Sequence, residues 1–264
     1  MKCKEIMDYL EQLSPKHYAL NWDNVGLLVG RKEKEVHRLM IALDATKDVV
    51  QAAIEQEVDM LITHHPMIFS AMKQINEDDI TAEKVLTLAE NGICYYAMHT
   101  NFDIAGGMAE LAAGSDYLNL TNTYPIEVCD TEDGEGLGRY GILPEAMTAQ
   151  QICAYVKEKF HLPFVMLYQP KGLEDKVYEK IAVLPGAGKS NWKDVLHTGY
   201  ELYLTGDFGH HPGLDAMEMG ITVIDATHYG LEYIFIKYIS DYLRKKMPDM
   251  TIVELDTGCP VQVM

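Results

Sequence analysis

Positive charge is scarce in this chain: 22 Lys and Arg stand against 40 Asp and Glu in 264 residues, a formal charge of −18. A surface this acidic repels polyanions, which argues against a general nucleic-acid binder or a binder of anionic membranes. A local site for one small anion or for cations is still allowed. Cysteines are few, odd in number and without a CxxC pair: Cys3, Cys94, Cys129, Cys153 and Cys259. That usage fits reduced thiols in a cytosol better than a disulfide framework. No apolar run approaches the roughly 18 residues of a membrane span. Glu5 falls inside what would be the apolar stretch of a secretory leader, so neither a span nor a leader is expected. With 48% apolar and 23% charged residues, disorder and fibres are also excluded.

What is present is an alternation of apolar runs and helical periods. Ile6, Met7, Leu10 and Leu13 predict an amphipathic helix that stops at Ser14-Pro15. Strands are expected at 39–43, 60–62 and 93–98, with helices at 47–57 and 82–90 between them. A helix starts at Met108 after Gly106-Gly107. The stretch 125–180 is less regular, with a Gly-rich turn from Asp133 to Arg139, a helix near 148–160 and a strand at 164–168. Alternation resumes with strands at 181–184, 202–204, 221–224 and 252–255 and helices at 190–198, 213–219 and 231–246. Asp59 to Thr63 resembles Glu201 to Thr205, and Gly92-Ile93 leading to His99-x-x-x-Asp103 resembles Gly220-Ile221 leading to His228-x-x-x-Glu232. The expectation is an α/β fold of two similar α/β units from an internal duplication, with sheets flanked by helices. Residues 1–125 with 228–264 would form one domain and 126–227 the other.

Three segments carry chemistry. Thr63-His64-His65-Pro66 follows an apolar strand, so two imidazoles leave an extended backbone in different directions, and Pro66 keeps His65 extended. His99 and Asp103 follow the next strand, and His228 and Glu232, four apart where a helix begins, can converge on one point. Taken singly, the His-His reads as two solvated loop residues, and either His-carboxylate pair as a hydrogen bond without an ion. Taken together, all three follow strands that should be sheet neighbours, where ligands collect in open α/β folds. Imidazoles and carboxylates suit Zn, Fe, Mn or Ni. So many donors favour two divalent ions over one, a pair that acidifies water into a nucleophile.

Other motifs are weaker. Gly186-Ala187-Gly188-Lys189-Ser190 ends like a phosphate-binding loop, but Val183 stands where that motif needs its first glycine. The turn could still offer Gly186 and Gly188 amides and Lys189 to a substrate phosphate, or be only a tight turn. His210-His211-Pro212 imitates the first His pair, yet the repeat places Gly206 and Asp207 in its slots, which leaves His210 and His211 at a rim. Asp207 could orient a ligand, move a proton or cap a turn. The 15 methionines read as core filler.

At these motifs the sequence resembles the Nif-three-like family of dinuclear-metal proteins, some labelled GTP cyclohydrolase I type 2 homologues. The matching pieces are Trp22-Asp23-Asn24-Val25-Gly26-Leu27, Thr63-His64-His65-Pro66, His99-Thr100-Asn101-Phe102-Asp103, Gly136-Leu137-Gly138-Arg139, Thr205-Gly206-Asp207 with His210-His211, and His228-Tyr229-Gly230-Leu231-Glu232. The resemblance implies the family's short form, a two-domain subunit of a toroidal homo-hexamer with metal pairs facing its interior. It implies His64, His65, Asp103, His228 and Glu232 as ligands, Glu232 as the bridge, and His99 beside the site. Lys189 departs from the small or polar residues the family carries at that turn.

Two functions follow as expectations. One is a metal-dependent hydrolase for a nucleotide-like or other small polar substrate, with His99 or Asp207 moving protons. The other is a non-catalytic metal-handling or scaffold protein, whose ions serve binding, delivery or assembly.

Overall fold

The computed structural model describes residues 1–264 other than Gly106 and Asp133. The Gly106-Gly107 pair and the turn at Asp133 therefore lie partly outside the described residues. The chain divides into two compact units, one of Met1–Ala105 with Phe235–Thr257 and one of Gly106–Ile234 with Gly258–Met264.

The first unit is built on a five-stranded sheet in the order Gly26–Val29, Cys94–Ala97, Met60–Thr63, Arg38–Ala42, Thr251–Glu254. All neighbours are parallel except Gly26–Val29, which runs against Cys94–Ala97. Met60–Thr63 and Cys94–Ala97 are buried at every position, which explains their unbroken apolar runs: a sheet covered on both faces has no polar side to alternate with. One face packs Met40, Leu61 and Tyr95 against Val49, Val50 and Ala53, the buried positions of the helix Lys47–Glu55. Thr46 caps that helix by accepting the Val49 amide, and Asp79 caps Ile80–Glu90 by accepting from Thr81 and Ala82. Cys3–Leu13 buries Cys3, Ile6 and Leu10; full burial of one such aliphatic side chain contributes about 1.5–3 kcal/mol.

The second unit holds a six-stranded sheet in the order Thr121–Tyr124, Arg139–Thr148, Val177–Ala187, Leu202–Gly206, Thr222–Asp225, Met166–Tyr168. Its middle three, Val177–Ala187, Leu202–Gly206 and Thr222–Asp225, are parallel and the flanking ones antiparallel. Tyr140, Trp192, Tyr203 and Phe208 form the aromatic part of its core and pack with Val223.

The ten-residue strand Arg139–Thr148 is absent from the sequence reading. Ile142 pairs with Lys180 and Met147 with Tyr178, so the register jumps there and leaves exposed Pro144, Glu145 and Ala146 outside the ladder. A proline is tolerated where no ladder amide is needed, and the bulge erases the alternation that would have marked a strand. The expected helix at 231–246 is two helices, His228–Glu232 and Ile234–Lys246.

The units also divide elsewhere than at 125 and 228. Met108–Ala113 packs on Arg139–Thr148 and Val177–Ala187, and Thr121–Tyr124 pairs with Arg139–Thr148, which places 107–125 in the second unit. His228–Glu232 packs on Val177–Ala187 and Leu202–Gly206 and belongs there as well. The segments repeated in the sequence, 59–63 and 201–205, fall on strands whose parallel neighbour is the next strand of their own unit. No helix among the described residues is long and apolar enough to cross a membrane.

Candidate metal centre

Parallel pairing decides which side chains meet in each unit. Thr63 lies opposite Ala97 in the first sheet, so the residues that follow both strands emerge at one end, side by side. Met98 continues the ladder by donating its amide to Thr63 at 3.0 Å. Its own carbonyl sits 2.8 Å from Nδ1 of His64, whose side chain is fully buried. His65 is anchored through its backbone. Its amide donates to Leu43, and its carbonyl accepts from the hydroxyls of Thr63 at 2.8 Å and Tyr95 at 2.9 Å. Its Nδ1 lies 2.8 Å from Oδ1 of Asp44, just past the neighbouring strand Arg38–Ala42.

His99 caps the short helix Thr100–Ile104, and its Nδ1 lies 2.9 Å from Oδ1 of Asp23. Asp23 also accepts the Thr100 amide at 3.0 Å and the Thr100 hydroxyl at 2.6 Å. Burial pushes the Asp23 carboxyl up, but the bonds from His99 and Thr100 outweigh it and hold the group at about 2. One ligand atom from each of His64, His65 and His99 lies within 4.8 Å of the others. Asp103, one helical turn after His99, brings Oδ1 to 3.6 Å from Nε2 of His64.

The second unit repeats the device. Thr205 lies opposite Asp225, and the turns after these strands carry Asp207 and His228. The buried carboxylate of Asp225 clamps both turns, accepting the Phe208 amide and the Thr227 amide at 2.9 Å each. Burial raises its pKa, and those two amides act in the opposite sense. Asp207 and Thr227 both hold left-handed backbone, φ +48° and +64°, a cost the clamp offsets. Oδ2 of Asp207 lies 3.0 Å from Nδ1 of His228, and Oε2 of Glu232 lies 3.0 Å from Nε2 of the same ring. An imidazole between two carboxylates needs a second ring proton or a cation to balance them.

The donors fit a divalent metal. In His64, His65 and His99 the Nδ1 hydrogen is directed at an oxygen acceptor. That fixes the tautomer and presents Nε2 as the basic nitrogen, the arrangement expected of metal-binding histidines. Imidazole nitrogens beside carboxylate oxygens suit the first-row ions.

The other predicted residues fall outside these groups. His210 and His211 are exposed at the start of the helix His210–Glu218, ring centroids 5.2 Å apart. The Gly188 amide is not available to a phosphate: it donates to the Thr205 hydroxyl at 3.1 Å, while the Gly188 carbonyl accepts from Tyr203. Lys189 is exposed. Gly186 instead packs against the Glu232 carboxylate, which a Cβ there would meet. Sequence reasoning missed Asp44 and gave Asp23 no role. The signal for Asp44 was an acid just past a parallel strand, at the same sheet end as the histidines.

Comparison with known proteins gives the family and the fold. The family model described as Duf34/NIF3 (NGG1p interacting factor 3) matches residues 1–258. A Methanocaldococcus jannaschii protein named GTP cyclohydrolase 1 type 2 homolog is 35% identical, covering 97% of this chain and all of that one. A Clostridium acetobutylicum protein of the same name is 32% identical over 96% of this chain and 93% of its own. Among solved structures, reduced HcgD from Methanocaldococcus jannaschii superposes with a TM-score of 0.83 at 33% identity, covering 97% of this chain and 98% of that one. A Bacillus cereus protein related to NIF3 reaches 0.86 at 23% identity, covering 100% and 99%, and supports the fold. Matched along nearly its whole length by both sequence and fold, the chain belongs to the Duf34/NIF3 family.

Proposed function

We propose that this is a dinuclear metal-binding protein acting as a metal-dependent hydrolase on a nucleotide-like or other small polar substrate. In this reading His64, His65 and Asp103, with His228 and Glu232, hold two divalent ions, Zn, Fe, Mn or Ni. The observation that carries it is the common orientation of the His64 and His65 imidazoles, each tied through Nδ1 to an oxygen so that Nε2 is offered as a donor, with the Glu232 carboxylate 3.0 Å from Nε2 of His228. Divalent ions at such a site acidify water and steady the oxyanion formed when an electrophilic carbon or phosphorus is attacked.

The residues of the chain do the rest. Asp44 and Asp207 hold the His65 and His228 rings in place, so the donors need little reorganisation. His99 carries protons between water and leaving group at Nε2, while the buried carboxylate of Asp23 holds the ring in place through Nδ1. Asp207, whose side chain is 59% exposed, is the second candidate for proton transfer. The relatives' name supports a purine nucleotide as one version of the substrate, with water added at C8 before the ring opens. A cytoplasmic homo-hexamer completes the reading, on the family resemblance.

The test is metal-replete protein assayed against nucleotides, phosphodiesters and cyclic amides beside His64→Ala and Glu232→Ala. Turnover lost in both variants while the assembly survives supports hydrolysis; turnover untouched by both removes the mechanism. Burial favours a second reading, a metal-handling or scaffold role. The side chains of His64 and Glu232 are 0% and 4% exposed, and a structural metal site is closed by protein. Assembly lost on chelation, with no turnover on any substrate, selects that reading.

A further inference from the structure

Two large rings are left in solvent beside the imidazole cluster of the first unit. Trp22 is 60% exposed and Phe69 52%. Each ring centroid lies 5.9 Å from that of His99, with interplanar angles of 73° and 85°. Two separate loops thus stand an aromatic ring upright against one imidazole.

Both loops are fixed. Asn24 donates Nδ2–H to the carbonyl of Ile68 at 2.7 Å, joining the loop of Trp22 to the loop of Phe69. Next to Trp22, the shielded carboxylate of Asp23 is bound by Thr100 and His99, and the Leu20 amide donates to the Thr100 hydroxyl. On the other side, the Met67 amide donates to the Tyr95 hydroxyl at 3.0 Å. Phe69 also lines a cavity of about 720 Å³ formed by the segment 67–74 with Asp79 and Thr81, where Lys73 supplies positive charge. That volume lies within the range of small-molecule sites.

We infer that Trp22 and Phe69 form the site for a planar heteroaromatic ring of the substrate, with His99 between them and the metal donors. Rings pre-set on rigid loops bind such a face without ordering cost, and stacking tolerates any base because each has a π-face. Lys73, in the wall of the adjoining cavity, suits an anionic tail. This inference deepens the proposed nucleotide-like substrate and rests on it, but its physical basis is the rings rather than the metal donors.

Trp22 reports on its own occupancy, because the other tryptophan, Trp192, is 6% exposed. Guanosine monophosphate and its ringless counterpart, ribose 5-phosphate, are titrated into metal-replete and chelator-treated protein, following emission and heat. The expected result is quenching by the nucleotide and an affinity at least about tenfold above that for ribose 5-phosphate, with the ratio kept after chelation. In Trp22→Ala and in Phe69→Ala the ratio drops below about threefold, whereas Trp22→Tyr keeps most of it. Equal affinities in the unmodified protein, or a ratio that survives both alanine variants, overturns the ring site. Emission that shifts to the blue on concentrating the protein without nucleotide gives the rings to a contact between copies and overturns it too. An intact ratio without turnover on any substrate leaves the ring site standing and removes the hydrolase reading alone.

Discussion

The carboxylate of Glu232 fills the space that a side chain at position 186 would need: a Cβ built on Gly186 lies 2.5 Å from Oε1 of Glu232 and 3.6 Å from Nε2 of His228. Gly186 also sits at φ +79°, where L side chains are strained. Gly186→Ala is therefore expected to displace the carboxylate and to cost about 1–3 kcal/mol of stability. Thermal melts and metal content measured together check this. A variant with unchanged metal content and melting temperature would show that Glu232 has room to spare.

Asp207 and Asp44 act through the histidines they hold, at 3.0 Å and 2.8 Å from Nδ1. Replacing either by alanine should weaken metal binding about 10- to 100-fold. Stability should change by no more than about 1 kcal/mol, because both carboxylates are substantially exposed. Asp207→Asn should lose less than Asp207→Ala. Its carbonyl can still accept the Nδ1 hydrogen, and asparagine tolerates the left-handed backbone. Competition with a chromophoric chelator measures the affinities.

Arg139, in the Gly136-Leu137-Gly138-Arg139 motif, is a structural residue of the second unit. Its buried guanidinium donates to Glu110 at 2.6 Å, to Glu135, and to the carbonyls of Gly136 at 2.9 Å and Gly138 at 2.8 Å. Arg139→Ala strands the two carbonyls, while the exposed carboxylates are taken up by water, and should cost about 1–3 kcal/mol by chemical denaturation. Metal bound per folded chain should stay at the unmodified level; a fall in content without a fall in stability would contradict the structural role.

Asp23 gives the apo protein an acid-sensitive contribution. Its folded pKa of about 2 lies below the ordinary 3.8, so the stabilisation is fully present above the higher value and is lost as pH falls toward 2. Chelator-treated Asp23→Asn should be less stable than the parent at neutral pH and should converge on it as the pH approaches 2. Parallel melting curves across that window would mean that Asp23 is not held ionised.

The histidines were legible in the sequence because their signal is local: an apolar strand ends, and His64-His65, His99 or His228 follows. Their carboxylate partners were less so. Asp44 reaches His65 only because parallel strands align their ends, and Asp23 reaches His99 across 76 positions of chain. The strand Arg139–Thr148 was hidden by its bulge at Pro144. The turn at Gly186 and Gly188 looked like an anion cradle, yet what demands its glycines is packing against Glu232, Thr205 and Tyr203. Composition carries no record of which amide is already spent.

The most direct measurement is the number of metal ions per chain in carefully purified, metal-replete protein, beside His64→Ala and Glu232→Ala. Two ions in the parent and fewer in each variant is the predicted result. A parent that binds none, or two variants that both keep the full complement, would contradict the account.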